Sequence, residues 1–176
     1  MKRQIRRGCF ETNSSSTHAI CIATEDVLNI PKDIHFGFND FGWECDTHSS
    51  ISAKANYLYT CLPYVAQDYD SLIEYVTFIY KTLKSHGVEN ITMDNFEIGI
   101  GAWSDNIYFD IQPANDCYVD HGSCASEFVN AVCTDEDKLL HYLFSNKSYV
   151  ETGNDNDDYD VDIKANYPHE EFYKGN

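Results

Sequence analysis

No run of apolar residues in this chain approaches the roughly 18 that a membrane-spanning helix requires. The basic start Met1-Lys2-Arg3-Gln4-Ile5-Arg6-Arg7 leads into Gly8, Cys9 and polar residues rather than into an apolar export segment. A soluble, intracellular protein with no membrane partner is therefore expected. Basic residues are scarce: 12 Lys and Arg stand against 29 Asp and Glu, a formal net charge of -17. Such a surface repels nucleic acid and anionic lipid, so direct nucleic-acid binding is not expected, and it attracts basic protein surfaces over about a Debye length. There is no internal repeat and no C-x-x-C pair. Seven cysteines, an odd number, fit reduced thiols better than a disulfide framework, several of them serving as small core residues.

What is present suits one sizeable core, because 176 residues with 43% hydrophobic and 14% aromatic content need no crosslinks to fold. Charge is unevenly placed. Lys2, Arg3, Arg6 and Arg7 crowd the start, whereas Glu151, Asp155, Asp157, Asp158, Asp160, Asp162, Glu170 and Glu171 near the end face only Lys164 and Lys174. The expected organisation is one domain over 1–150 and an acidic, solvated, partly mobile segment over 151–176.

Periodicity predicts strands at about Gln4 to Phe10 and His18 to Ala23, joined by the polar run Glu11 to Thr17. The Gly-Phe repetition from Ile34 to Trp43 reads as an irregular or edge segment whose aromatics still pack. Ala55, Leu58, Leu62 and Val65 share a helical face that Pro63 must kink or end. A second helix is expected from Leu72 to His86: Ser71 and Glu74 make a capping box, Leu72, Val76, Ile79 and Leu83 form the apolar stripe, and Gly87 closes it. Phe96, Ile98 and Ile100 alternate, as do Ile107, Phe109 and Ile111, which predicts a central antiparallel pair. Short helices follow at about Ser126 to Cys133 and Asp135 to Phe144, the latter capped by Thr134, and a last strand near Ser148 to Thr152. The expected class is α+β, a small antiparallel sheet with three to four helices packed on it.

The most unusual stretch is Arg6-Arg7-Gly8-Cys9-Phe10-Glu11-Thr12-Asn13-Ser14-Ser15-Ser16-Thr17-His18. Guanidinium forks match phosphate oxygens, and consecutive backbone N–H groups with Ser and Thr hydroxyls make an anion nest, so Arg6, Arg7, Ser14, Ser15 and Thr17 are candidate ligand-binding residues. The alternative is that the hydroxyls satisfy their own backbone in a tight connection. From Arg7 to His18 the chain resembles small proteins of tailed bacteriophages and prophages that open with such a run. The likeness is looser at Lys54 to Tyr59, Tyr118 to Ser123 and Leu140 to Ser145, and Cys9 stands where an aliphatic residue is expected, which argues against catalysis by that thiol. The resemblance implies a viral origin and action in the host cytoplasm; it assigns no activity.

A second constellation is Asp120-His121-Gly122-Ser123, flanked by Cys117 and Cys124. Ser16, His18, Asp120 and His121 are the candidate catalytic residues if the two polar stretches meet in space. A capping Ser123 and a hydrogen-bonded structural His121 is the alternative. Cys45 with His48, and Cys117, His121 and Cys124, offer zinc-ligand types, but neither stretch has the spacing of a zinc knuckle, so no metal and no cofactor are expected. A calcium loop from Asp158 through Asp160 and Asp162 fails because Ile163 and His169 occupy the positions that require Gly and Glu.

Three functions compete on these residues. The leading one is a binding module that engages or inhibits a basic, nucleic-acid-binding host, phage or defence protein, as an anti-CRISPR-like or nucleic-acid-mimic protein would, although the same charge could serve solubility alone. The second is a small enzyme that holds a phosphorylated or nucleotide ligand at Arg6, Arg7 and the loop from Ser14 to His18, with His18 or His121 as acid or base. The third is a virion or assembly component.

Overall fold

A computed structural model describes residues 16–24, 28–42, 46–100, 107–111, 117–119, 125–154 and 170–175. The main sheet is antiparallel and combines strands from both ends of the chain. Strand β1 (Ser16–Ala23) lies between the late strands β7 (Tyr149–Asn154) and β8 (Glu170–Gly175), and β3 (Asp46–His48) borders β7, giving the order β3-β7-β1-β8. Because side chains alternate along a strand, His18, Ile20 and Ile22 share one face of β1, and Ala19, Cys21 and Ala23 share the other. All six are buried.

Helices cover the isoleucine face. α1 (Ile51–Val65) packs on β7, α3 (Ala125–Val132) on β8 and α4 (Glu136–Phe144) on β1. α2 (Tyr69–Ser85) lies outside, against α1 and α4. One core cluster joins Ile20, Ile22 and Val150 of the sheet to Leu58, Leu62, Val76, Ile79, Phe128 and Leu143 of the helices. The fold is α+β, with four helices among the described residues.

Two smaller ribbons complete it. β2 (Asp33–Phe36) and β4 (Asn90–Met93) pair in parallel, a connection that needs the long crossover supplied here by α1 and α2. β5 (Phe96–Ile100) and β6 (Ile107–Ile111) form the expected antiparallel pair. That pair is not central; it stands as its own two-stranded unit outside the main sheet.

The helix ends refine the sequence reading. Pro63 lies inside α1, which ends two residues later at Val65. α2 begins before Ser71, because the carboxylate of Asp68 accepts the Ser71 N–H at 2.8 Å and is the N-cap. The stripe Leu72, Val76, Ile79 and Leu83 is buried as expected, and Gly87 takes the positive φ of 90° that lets the chain leave the helix. In α4 the cap is Asp135, which accepts from Lys138 N at 3.1 Å, whereas the hydroxyl of Thr134 donates back to the Asn130 carbonyl. Phe36 and Phe41, from the stretch read as irregular, are both buried. The boundary expected at residue 150 falls within β7, and β8 brings the end of the acidic segment into the main sheet.

Candidate functional site

The expected polar site divides between described and undescribed residues. Arg6, Arg7, Ser14, Ser15, Asp120 and His121 lie outside the described residues, as do the first expected strand, Cys45, Cys124 and the Asp158 to His169 segment. Ser16 and Thr17 belong to β1, paired in register with Asn154 and Gly153, rather than to a loop. His18 is fully buried, and its Nδ1 lies 3.0 Å from the hydroxyl of Tyr57 on α1, itself buried. An imidazole so enclosed reaches no ligand without the sheet opening, so His18 acts as a core residue that ties β1 to α1.

Around that contact runs a connected series of rings. Phe41 meets His48 edge-on at 5.3 Å and Tyr57 at 5.0 Å between centroids, and Phe128 lies against Tyr57 at 6.0 Å, Tyr142 at 4.8 Å and Tyr173 at 6.1 Å. Edge-to-face geometry at these separations adds to the stabilisation from burial alone. His48 Nε2 also lies 3.4 Å from Thr152 Oγ1. Among the described residues, no group of three or more His, Cys, Asp and Glu side chains is arranged to hold a metal ion.

A surface cluster that no local motif announces lies on the β2–β4 ribbon. The parallel register sets His35 opposite Thr92. His35 Nδ1 is 2.9 Å from Thr92 Oγ1, and His35 Nε2 is 3.4 Å from Asp94 Oδ1. Asp94 also anchors the loop after β2, accepting from Phe38 N at 3.3 Å through Oδ2, while its own carbonyl accepts the Tyr59 hydroxyl at 2.7 Å. Gly37 leaves room at this junction: a Cβ there would sit 3.1 Å from Asp94 Oδ2 and 3.3 Å from His35 Nε2, so these side chains would have to shift slightly to admit one. The cluster links the loop after β2 to α1 through Asp94.

The described feature that best matches the chain's charge lies where α3, α4 and β8 meet. Tyr173 of β8 donates its hydroxyl to Glu171 at 3.1 Å. Burial, followed by the nearby carboxylates of Glu171, Glu127 and Asp135, pushes the Tyr173 phenol up to about 12, because each negative charge disfavours a phenolate. Carboxylates from three elements thus act on one phenol. Glu136 and Asp137, in the first turn of α4, are exposed beside Asp135. Lys138, 2.9 Å from Glu171, pairs with this group. Carboxylates in that first turn are favoured by the helix dipole, so the face forms without strain in α4.

Sequence reasoning found the abundance of acid but not this face. Its members come from positions 127, 135–137 and 171, and they converge only because β8 returns to the sheet beside β1. Compared with protein-family models, with curated proteins and with solved structures, the chain matches none.

Proposed function

We propose that this protein is an acidic binding module whose carboxylate face engages a basic, nucleic-acid-binding protein of a bacterial host or its defences and competes there with nucleic acid. The observation that carries the reading is the packing of α3 against β8, where Tyr173 donates to Glu171 at 3.1 Å and its phenol is raised by Glu171, Glu127 and Asp135 as well as by burial, in a chain of net charge -17. Carboxylates fixed on rigid elements present negative charge as a phosphate backbone does, and a Lys- or Arg-lined cleft takes up either with release of counterions. The phage-like opening from Arg7 to His18 fits this reading, since it implies action inside a bacterium.

Capture from bacterial lysate tests the proposal, with wild type compared with a triple variant carrying Glu127→Gln, Asp135→Asn and Glu171→Gln. Asn at 135 keeps a helix-capping side chain, so the variant changes charge and leaves the α4 cap in place. Wild type is expected to retain a basic nucleic-acid-binding protein that the variant releases at lower salt. Equal retention by both would remove the face from the account.

A further inference from the structure

The chain carries a second surface feature outside the carboxylate face. Between Lys32 and Lys81 the only Lys or Arg is Lys54, which is buried, and residues 85–137 contain neither. Surface drawn from these two stretches therefore offers no lysine or arginine. Within it, three of the described tyrosines are set in the open: Tyr64, near the end of α1, is 58% exposed, Tyr69, at the start of α2, is 48% exposed, and Tyr118 is 44% exposed.

Tyr64 and Tyr118 are linked through one segment, Tyr64 by its side chain and Tyr118 by its main chain. The Tyr64 hydroxyl donates to the Cys117 carbonyl at 2.9 Å, which ties its ring to the segment that carries Tyr118. Phe41 N donates to the Tyr118 carbonyl at 2.8 Å, and Phe41 and Val119 form a parallel bridge, so Tyr118 is held beside the segment that carries Asp40. Asp40 is exposed and adjoins Phe41 in sequence; burial first, then the Cys117 and Cys61 thiols and the Asp40 carboxylate, raise the Tyr64 phenol. A ring held by its hydroxyl, as that of Tyr64 is, loses little conformational freedom when a partner arrives, and Tyr is enriched at binding hot spots.

We propose that Tyr64, Tyr118 and Asp40 form a contact that receives a guanidinium group, so that an arginine of the basic partner stacks on the tyrosine rings and pairs with the Asp40 carboxylate. The inference rests on the acidic-module reading above and gives it a chemical preference. Guanidinium is planar, weakly hydrated and forked; it can lie flat on a ring while two N–H groups meet a carboxylate, which the compact, strongly hydrated lysine ammonium does not do.

Titrating the full chain at low salt with an arginine octapeptide and a lysine octapeptide of equal charge tests this. Both peptides bind wild type, with the arginine peptide about fivefold tighter, near the size of one exposed cation–π contact. The double variant Y64L/Y118L binds the two peptides equally, and D40N narrows the difference. Ring protons of Tyr64 and Tyr118 shift on addition of the arginine peptide to wild type. The conservative Tyr118→Phe keeps a ring and keeps the preference, which separates loss of the contact from loss of the fold. An arginine preference that persists in Y64L/Y118L, or ring signals that do not move, would overturn the contact and leave the acidic module standing. Failure of both peptides to bind would overturn the module and this contact with it.

Discussion

The ammonium of Lys54 lies 2.7 Å from the carbonyl oxygen of Ser145, across the core from α1 to the turn between α4 and β7. It also donates to the Ser148 carbonyl at 3.2 Å, and the Lys54 carbonyl accepts the Tyr142 hydroxyl at 2.8 Å. Lys54 is 1% exposed, and burial lowers its pKa from 10.5 to about 8. One lysine thus donates to two backbone carbonyls of that turn within the core.

A pH dependence follows. The native state holds the Lys54 proton less tightly than the unfolded chain does, so between about 8 and 10.5 the unfolded state binds more protons and native stability rises with pH through this group. Burial raises the Cys133 thiol and the Tyr59, Tyr142 and Tyr173 phenols, which makes their contributions fall with pH above the ordinary thiol and phenol values. Subtracting a Lys54→Met variant removes those shared effects. Denaturant unfolding at pH 7 and 9.5 should show wild type gaining on the variant by an amount on the order of 2 kcal/mol. A difference independent of pH would contradict the buried ammonium.

The α2 stripe gives a prediction of core packing. Leu72→Ala and Leu83→Ala should each cost about 2 to 5 kcal/mol, since both side chains are buried in the main cluster. Chemical unfolding checks it; losses below about half a kcal/mol at both sites would contradict the packing of α2.

Two glycines should respond in opposite ways. Gly87 has φ +90, a conformation that strains any residue with a Cβ, so Gly87→Ala should destabilise by about 1 kcal/mol. Gly153 has no atom within 4 Å of its would-be Cβ and lies in β7, so Gly153→Ala should be neutral or slightly stabilising. Thermal melts of the two variants distinguish these outcomes.

The sequence was most legible where a signal is local. The stripe of α2 and the Phe96 to Ile111 pair follow from side-chain period, and both form. Caps differ from the sequence reading by position because neighbouring residues compete: Asp68 caps α2 by accepting from Ser71 N, three residues before the expected cap Ser71, and Asp135 caps α4 by accepting from Lys138 N, one residue after Thr134. Non-local pairing was not legible. The parallel β2–β4 ladder, the return of β8 to β1 and the His18–Tyr57 contact each join residues far apart, and polar side chains such as His18 give no sign in sequence of being core. The same reason hid the carboxylate face, whose parts lie on three elements.

Competition with nucleic acid tests the central claim most directly. The basic protein captured by wild type is incubated with the chain and increasing double-stranded DNA, and the bound fraction is followed at two salt concentrations. The account predicts that DNA displaces the chain stoichiometrically, that affinity falls steeply with salt, and that the Glu127→Gln, Asp135→Asn, Glu171→Gln variant binds with a shallower salt slope. Binding that survives saturating DNA and is indifferent to salt would contradict it.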